Sequence, residues 1–282
     1  MFGVRCSNVL NAFQVFLKAG TDPANYALFL RNLFLNKNQL KMHPETIPYF
    51  QYLETIPTSG KHILAQQTDE QILVYQAFNH AIANYALAHQ KFGGSAYSFS
   101  RMSWIKPNFL WMMYRCGWAD KENQQRVLGI WLKKSDFDHI LSESVFTSFQ
   151  PDHYTDVAEW KAALEKHPVR LQWDPDHDIY GTPQVRKAIQ LGIKGKLLEQ
   201  FAQEMAVKII DLTTFAQEQK NLILQKNITQ LQIPQEWIYE PRDARIRTRI
   251  GLTNNEHVEV FLGFDRKHPT RSKQRTLNYV NN

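Results

Sequence analysis

The apolar residues of this chain fall into short continuous runs, separated by stretches in which they recur at helical spacing. Continuous runs rich in β-branched and aromatic residues are typical of buried strands. Four such runs predict strands over residues 71–78, 126–132, 169–174 and 185–193. The chain is therefore expected to build a sheet largely from buried strands.

Between these runs, apolar residues recur every three or four positions, which is the spacing of one helix face. Helices are predicted over residues 80–92, from Pro107 to Gly117, and over residues 135–145, 153–167 and 196–221. Proline suits a first helical turn, and Ser135 suits an N-cap. Strands and helices interleave without the rhythm of a doubly wound sheet. The predicted class is α+β: a single domain with a mixed, mostly antiparallel sheet packed by helices.

The same pattern divides the chain into three parts. Residues 1–66 carry two helical patterns, near residues 8–18 and 23–40, and are predicted to form a helical N-terminal extension. Residues 67–241 form the predicted α+β core domain. Residues 242–282 form a predicted basic tail, partly disordered, with a hairpin signal at Asn254 and Asn255.

Composition argues against a membrane protein and against a disulfide scaffold. Hydrophobic residues make up 43% of the chain, but charged residues interrupt each apolar run before it reaches bilayer-spanning length. Cys6 and Cys116 lie far apart and show no metal or redox spacing. We therefore expect a reducing compartment, the cytoplasm. The first 20 residues contain no acid, so a mitochondrial-type presequence is the alternative to a plain amphipathic helix.

The net charge of +6 is concentrated in the tail. From Arg242 to the end, nine Lys and Arg residues stand against four Asp and Glu residues. The remaining body is nearly neutral. The charge therefore predicts a basic appendage and says little about the main domain. Basic tails are usually just solvated, and weak contact with RNA is the alternative.

Residues 99–118 (FSRMSWIKPNFLWMMYRCGW) hold three of the seven tryptophans, two arginines and a lysine. Arg101 and Lys106 come just before the predicted helix, whose free N–H groups and dipole favour a phosphate or a carboxylate. Trp111 and Arg115 lie four residues apart, so an indole could stack beneath a guanidinium on one helix face. The alternative is a plain core helix whose cations reach out to solvent.

Polar residues also interrupt the predicted buried strands. Each of Gln76, Gln172 and Gln190 could be a structural amide that bonds to neighbouring backbone. Because they lie on three strands, they could instead line one cleft together with Arg101, Arg115 and Arg186. Arginine binds phosphate in bidentate fashion, amides recognise a base or a ribose, and aromatic rings stack on a base. The predicted ligand-binding residues are Tyr75, Gln76, Trp104, Lys106, Trp111, Trp173 and Arg186, and the predicted catalytic residues are Arg101, Arg115 and Gln190.

The usual catalytic templates are missing from the sequence, which has no GxSxG, HExxH or CxxC motif. Asp174, Asp176 and Asp178 alternate in DPDHD and could hold a divalent cation. Acids around a proline are more typical of a turn, and the glycine and the distal glutamate of an EF-hand are missing. The sequence therefore predicts a turn-rich loop over residues 174–183 and no metal site.

Five blocks, in order, carry a family resemblance: YQAF, SRMSWIKPNFLWMMYRCGWA, VLGIWL, VRLQWDPDHD and RKAIQLGIKG. They resemble the family known as domain of unknown function 4291, over residues 71–211 with a fainter continuation to residue 241 in QLQIPQEWIYEP. The tryptophan-rich block is specific because it is long and unlike general core sequence. The resemblance implies a shared fold and pocket, and it implies no reaction.

A weaker resemblance is architectural. The order of elements is similar to that of ADP-ribosyltransferase-like folds, including RNA phosphotransferases. The resemblance implies that a polar residue on the first strand holds NAD and that a late glutamate assists transfer. Gln190 stands near the late position, and an amide cannot act as a carboxylate base. Phosphate handling by arginines is therefore favoured over ordinary ADP-ribosyl transfer.

Together these features predict an enzyme that binds a nucleotide or another phosphate-bearing substrate in an arginine-lined cleft. Its predicted class is an ADP-ribosyltransferase-like or phosphotransferase-like enzyme, with NAD or another nucleotide as a candidate cofactor. The alternative is a non-catalytic module that recognises RNA or a protein through the same aromatic and basic surface.

Overall fold

The computed structural model of the protein describes residues 44–252. Its strands are β1 (Thr46–Pro48), β2 (Ile63–Ala65), β3 (Gln71–Phe78), β4 (Ser103–Ile105), β5 (Arg126–Lys133), β6 (Ser144–Phe146), β7 (Val169–His177), β8 (Pro183–Ile193), β9 (Ala206–Asp211), β10 (Gln232–Pro234) and β11 (Trp237–Tyr239). Its α-helices are α1 (Tyr49–Thr55), α2 (His80–His89), α3 (Phe109–Cys116), α4 (Lys134–Ser142), α5 (Val157–Lys166), α6 (Gly195–Gln200), α7 (Thr213–Leu224) and α8 (Ala244–Arg249). The predicted α+β class is confirmed.

Two sheets form the centre of the fold. One has the strand order β3–β5–β9 and the other has the order β4–β8–β7–β6. Within them, β6 and β7 run parallel and the other neighbours run antiparallel. The two sheets meet at a bridge between Tyr75 and Lys106. There the Tyr75 N–H donates to Lys106 O (2.7 Å) and the Lys106 N–H donates to Tyr75 O (3.1 Å).

Both faces of β3 and β5 are buried, which explains their continuous apolar runs. Val74 and Ile130 pack in an apolar cluster on one face. Leu73 and Trp131 pack in a second cluster on the other face. A strand covered on both sides needs apolar residues at successive positions and not only at alternate ones. Burial of this surface is the main favourable contribution to folding.

The N-terminal end of the described range is built into this fold. β1 pairs with β10, and β2 pairs with β11. Residues 46–48 and 63–65, both within the predicted extension, therefore pair with residues 232–234 and 237–239. The helices predicted near residues 8–18 and 23–40 lie outside the described residues, and the division of the chain at residue 66 stays a prediction.

The C-terminal end packs as well. Ile246 of α8 and the following Ile250 are buried in the same apolar cluster as Val74. The stretch predicted as a basic tail thus begins with a packed helix, and the hairpin predicted at Asn254 lies outside the described residues. Between residues 44 and 252, no helix is long and apolar enough to cross a bilayer.

The single helix predicted over residues 196–221 is wrong. This stretch forms α6, a π-helical turn at Phe201–Met205, strand β9 and then α7. β9 carries Val207, Ile209 and Ile210, whose β-branched side chains favour a strand, and it pairs along β5. Its apolar residues also fall at helical spacing, so the local pattern did not distinguish a strand from a helix.

Two smaller predictions also differ from the structure. Helix α4 begins at Lys134 with Lys133 in the cap position, so Ser135 lies inside the first turn. The Lys134 N–H donates to Glu70 O (2.9 Å), which satisfies an amide that a side-chain cap would otherwise serve. Strand β7 continues through His177 because its pairing with β8 continues. The predicted loop is therefore confined to the turn after His177.

Helix α3 lies where the sequence places it, so the prediction of a helix from Pro107 to Gly117 is confirmed. Asn108 caps its start, with Oδ1 accepting the Trp111 N–H at 2.7 Å. Gly117 ends it in left-handed backbone at φ 61°, a conformation that glycine adopts without strain.

The side chain of Glu236, in the loop between β10 and β11, lies at the N-terminus of α3. Its Oε1 accepts the Phe109 N–H (2.6 Å), and its Oε2 accepts from Asn108 Nδ2 (2.9 Å) and the Tyr52 hydroxyl (2.9 Å). Burial outweighs these hydrogen bonds and raises the pKa of Glu236 to about 8. One buried acid thus links α1, α3 and the β10–β11 loop.

This pKa predicts how stability depends on pH. A raised folded-state pKa means that Glu236 costs stability as the pH rises from about 4.5 through about 8, because the folded chain holds a proton that the unfolded chain has released. Glu236→Gln removes that titration and keeps an acceptor for the Phe109 N–H. Across this window, we expect the free energy of unfolding of the wild type to fall by on the order of a few kcal/mol relative to the variant.

The measurement is urea unfolding followed by tryptophan fluorescence at a series of pH values. The comparison uses the slopes of the two profiles, because losing the carboxyl also changes the hydrogen bond to Asn108. Parallel profiles would contradict the raised pKa.

Candidate functional site

A cleft of about 450 Å³ opens beside the junction of the two sheets. Its walls come from the end of β3, the segment through β4, helix α3 and strand β8. The lining residues are Gln76, Ala77, Phe78, Arg101, Met102, Ser103, Trp104, Lys106, Met112, Arg115, Gln124 and Gln190. Its volume lies in the range of small-molecule pockets, about 300–1,000 Å³.

The structure brings six of the ten predicted site residues together at this cleft and places four elsewhere. Those at the cleft are Gln76, Arg101, Trp104, Lys106, Arg115 and Gln190. Those placed elsewhere are Tyr75, Trp111, Trp173 and Arg186. Four strand or helix segments distant in sequence therefore converge on one concave surface.

Three cations, Arg101, Lys106 and Arg115, line the cleft. Within residues 44–252, neither guanidinium makes a hydrogen bond or an ion pair. Both arginines are exposed, whereas Lys106 is only 3% exposed. The described lining contains no carboxylate. The cleft therefore carries a local excess of positive charge.

Lys106 contributes a buried amine to this positively charged cleft. Burial, followed by the positive charge of Arg115, lowers the pKa of Lys106 to about 8, while Asp174 and Cys116 act in the opposite direction. Its ammonium forms no hydrogen bond or ion pair with the described part of the chain. A buried cation without a close partner is rare, so Lys106 is an unusual feature of this core.

The strand glutamines hold neighbouring backbone and side chains in place. Gln76 Nε2 donates to Ser103 Oγ (2.8 Å) and to Trp104 O (3.0 Å). Asp174 accepts from Gln190 Nε2 (2.7 Å) through one carboxylate oxygen and from Gln172 Nε2 (2.7 Å) through the other. The amides are thus structural, as one interpretation of the sequence predicts, while those of β3 and β8 also line the cleft.

One wall of the cleft depends on a glycine. Trp104 pairs with Gly192 across β4 and β8. A Cβ at Gly192 would lie 2.8 Å from Trp104 Cε2 and would also collide with Met102 Sδ. Since only glycine lacks a Cβ, this position lets Met102 and Trp104 pack directly on the strand.

Tyr75 lies in the core and the half-buried Trp173 packs against it, and neither lines the cleft, which differs from their predicted place there. Tyr75 is fully buried, and its ring meets Phe109 edge-on at 5.5 Å. Trp173 packs on the main apolar cluster and donates from Nε1 to Ile250 O (2.8 Å). Successive side chains of a strand point to opposite faces, so Trp173 turns away from the face that carries Gln172.

Trp111 does not form the predicted stack with Arg115. Its ring stacks on His177 with centroids 5.1 Å apart and on Tyr114 with centroids 5.3 Å apart. The β7 residue His177 therefore takes the place beside the indole that the sequence assigns to the guanidinium, and Arg115 is left to the cleft.

Arg186 belongs to a buried ion pair, so its predicted place in the cleft is corrected. Its Nε donates to Asp176 Oδ2 (2.6 Å) and its Nη1 donates to Pro57 O (2.8 Å). Arg186 and Asp176 are 5% and 0% exposed. The charge of this arginine is neutralised inside the protein.

The carboxyl group at the N-terminus of α3 is supplied by the chain itself. The sequence predicts a bound phosphate or carboxylate there, with Arg101 and Lys106 nearby. In the structure, the Glu236 carboxyl group accepts the Phe109 N–H instead. Glu236 lies 127 residues from Phe109 along the chain, so no local pattern reveals the contact. Its position in QEWIYEP, the closing block of the family resemblance, is the only signal that the sequence offered.

The alternating acids of DPDHD contact three different sets of partners. Asp174 accepts from two glutamines, Asp176 pairs with Arg186, and Asp178 Oδ1 accepts the amides of Tyr180 and Thr182 at 2.8 Å each. The structure brings together no group of three or more metal-ligating side chains in the range 44–252.

A larger groove of about 1020 Å³ lies between α4, α5 and α8. Its lining mixes acids, cations and histidines; His167, for example, lies 3.0 Å from a Glu143 oxygen. Opposite charges compensate each other there, so the groove favours no one ligand chemistry. The smaller cleft, where charge of one sign converges, is the candidate site.

A family model described as domain of unknown function (DUF4291) matches residues 62–239. The chain belongs to this family. The match contains every lining residue of the cleft and also Glu236, so the cleft and the helix that borders it are parts of the DUF4291 domain. No curated protein matches the chain.

The buried pair gives a test that separates structural from functional arginines in the DUF4291 domain. Arg186→Met leaves the Asp176 carboxylate buried without its partner, and we expect the free energy of unfolding to fall by about 3–5 kcal/mol in urea titrations. The matched control is Arg245→Met, which removes an exposed arginine from its pair with Asp243 and should leave stability nearly unchanged. An Arg186→Met protein as stable as the wild type would mean that the pair is not charged.

Proposed function

We propose that the DUF4291 cleft binds a nucleotide or another phosphate-bearing substrate, and that the protein is a transferase that acts on it. The observation that carries the proposal is the convergence of three cations on a cleft of about 450 Å³ whose described lining holds no carboxylate. A cleft of this charge favours an anion with several negative oxygens. Phosphate esters are the common metabolites of that kind.

The contrast with Arg186 supports this assignment. The chain provides Arg186 with a carboxylate at 2.6 Å, but it provides none within 4 Å for Arg101 or Arg115 in the described range. A planar guanidinium without a protein partner suits bidentate contact with phosphate oxygens. Together with Lys106, the two guanidinium groups carry a positive charge similar in size to the negative charge of a pyrophosphate group.

The rest of the lining suits the remainder of a nucleotide. Trp104 offers a ring on which a base could stack. Gln76, Gln124 and Gln190 offer amides to hydroxyl groups or to base edges. A phosphate site bordered by one indole and several amides favours a nucleotide over an inorganic anion.

We infer the reaction class from the groups that are present in the described lining of the cleft. Gln190 is an amide held by Asp174 at 2.7 Å, and an amide cannot remove a proton from an acceptor as a glutamate does. Stabilisation of developing negative charge by arginine is the chemistry that the lining can supply, which favours phosphoryl transfer. Gln76 stands on the first strand of the central sheet, as does the NAD-holding residue of ADP-ribosyltransferase-like folds, so NAD belongs among the ligands to test.

The proposal predicts ligand-dependent stabilisation that requires Arg115. Full-length protein is screened by thermal unfolding against NAD, ATP, GTP, cyclic nucleotides, nucleotide sugars and short RNA. A ligand at about a hundredfold excess over its dissociation constant should stabilise the protein by roughly 2.7 kcal/mol. Arg115→Ala should abolish this shift while leaving the unliganded melting temperature close to that of the wild type, because the side chain is exposed.

Arg245→Ala serves as the control for the loss of one exposed arginine away from the cleft. A nucleotide shift that persists in Arg115→Ala would contradict the proposal. A shift with RNA alone that fades with salt would point instead to the non-catalytic RNA-binding alternative.

A second prediction tests the shape of the cleft without changing its charge. In Gly192→Ala, the new methyl group must displace the Trp104 ring and Met102, so the wall of the cleft moves. We expect the affinity for the ligand found in the screen to fall about tenfold or more, measured by titration calorimetry. Unchanged affinity in a folded Gly192→Ala protein would show that Trp104 does not contact the ligand.

A further inference from the structure

Lys106 is the one group in the described lining of the cleft that can serve as a nucleophile near neutral pH. The other polar members are two arginines and three glutamines, whose side chains are not nucleophiles, and Ser103. The Ser103 hydroxyl accepts a hydrogen bond from Gln76, and the described lining contains neither a histidine nor a carboxylate that could activate it. Covalent chemistry in this cleft therefore falls to the Lys106 amine.

The surroundings of Lys106 favour the neutral amine. The side chain is 3% exposed, and burial together with Arg115 lowers its pKa to about 8. Two groups act in the opposite direction, Asp174 from β7 and Cys116 from α3. Arg101, from the segment before β4, adds a further cation to the same cleft. About a tenth of the amines are then neutral at pH 7, against well under a thousandth for an ordinary lysine.

The backbone also holds Lys106 in place. Its N–H and C=O both bond to Tyr75, at 3.1 and 2.7 Å. Pro107 follows, and the capped start of α3 comes next. The amine is therefore carried by a rigid part of the fold, and it lies in the same lining as two guanidinium groups that have no partner among residues 44–252.

We propose that Lys106 is a covalent amine nucleophile, and that its substrate class is a phosphate ester bearing an aldehyde or a ketone, held by Arg101 and Arg115. This proposal rests on the proposed function, because it uses two of the same three cations, Arg101 and Arg115, for the phosphate. It narrows that function by adding a carbonyl group to the ligand.

The covalent step is imine formation. The neutral Lys106 nitrogen attacks the carbonyl carbon, and a C–N bond forms as the C=O π bond opens to a carbinolamine. The two amine hydrogens and the carbonyl oxygen then leave together as one water molecule, and the product is a C=N bond to Nζ. No oxidant or reductant takes part. The reverse reaction with water releases the amine.

The test uses pyridoxal 5′-phosphate, which carries both an aldehyde and a phosphate, with full-length protein. The imine is trapped by borohydride and located by peptide mass spectrometry. We expect Lys106 to be labelled at least tenfold more than the exposed Lys196 when the probe is substoichiometric. Excess inorganic phosphate should suppress the labelling of Lys106 but not that of Lys196. The labelling rate of Lys106 should rise through about pH 8.

Two variants complete the design. Lys106→Met removes the amine, keeps an apolar stem and should lose the preferred label, while Lys196→Met should leave it unchanged. If Lys106→Met does not fold, the peptide map of the wild type and its competition with phosphate decide the question by themselves.

Two results would overturn the proposal, and they differ in what else they overturn. Labelling spread over exposed lysines, together with an Arg115-dependent thermal shift by pyridoxal 5′-phosphate, would refute the nucleophile and leave the phosphate site intact. Labelling spread over exposed lysines with no thermal shift by the probe or by any nucleotide would refute both the nucleophile and the proposed function.

Discussion

The pair of backbone hydrogen bonds between Tyr75 and Lys106 is the contact on which the arrangement of this domain depends. It joins the edge strand of one sheet to the segment that leaves the edge strand of the other. Side chains from β3, β4, α3 and β8 meet around this junction, and the cleft opens beside them. The bonds also fix a lysine at the point where the two sheets meet. The fold therefore sets the position of Lys106 through its backbone, and the amine makes no hydrogen bond within the described part of the chain.

The elements with a strong local signal could be predicted from the sequence. Strand β3 is marked by a continuous apolar run, which is buried on both faces. Helix α3 is marked by a proline before its start and a glycine at its end. β9 could not be separated from a helix because its identity depends on pairing with β5, about 80 residues earlier in the chain. The contact between Glu236 and α3 is non-local in the same way. Local physics determines the pattern of an element, whereas long-range pairing selects among the elements that fit the pattern.

The candidate site shows the same division. Arginine and glutamine in strand-like or tryptophan-rich surroundings could be recognised as unusual, and six of the ten predicted residues lie at one cleft. The sequence did not reveal which arginine would pair with a carboxylate. Arg186 has Asp176 on the neighbouring strand, ten residues earlier across a turn, and becomes structural. Arg115 has no such neighbour among residues 44–252 and lines the cleft. The role of a charged side chain thus depends on whether the fold delivers an opposite charge to it.

Four buried ionisable groups near this junction show how that principle distributes stability and reactivity. Asp176 and Arg186 satisfy each other, so neither is available to a ligand. Glu236 is buried and hydrogen-bonded, and its cost in stability is offset by capping α3 and joining distant segments. Lys106 is buried without either form of compensation in the described chain, so its burial lowers stability and brings no structural bond from its amine. Residues that lower the stability of the fold are expected at functional sites. The uncompensated amine, more than the exposed arginines around it, therefore marks the part of this domain that structural requirements alone do not explain.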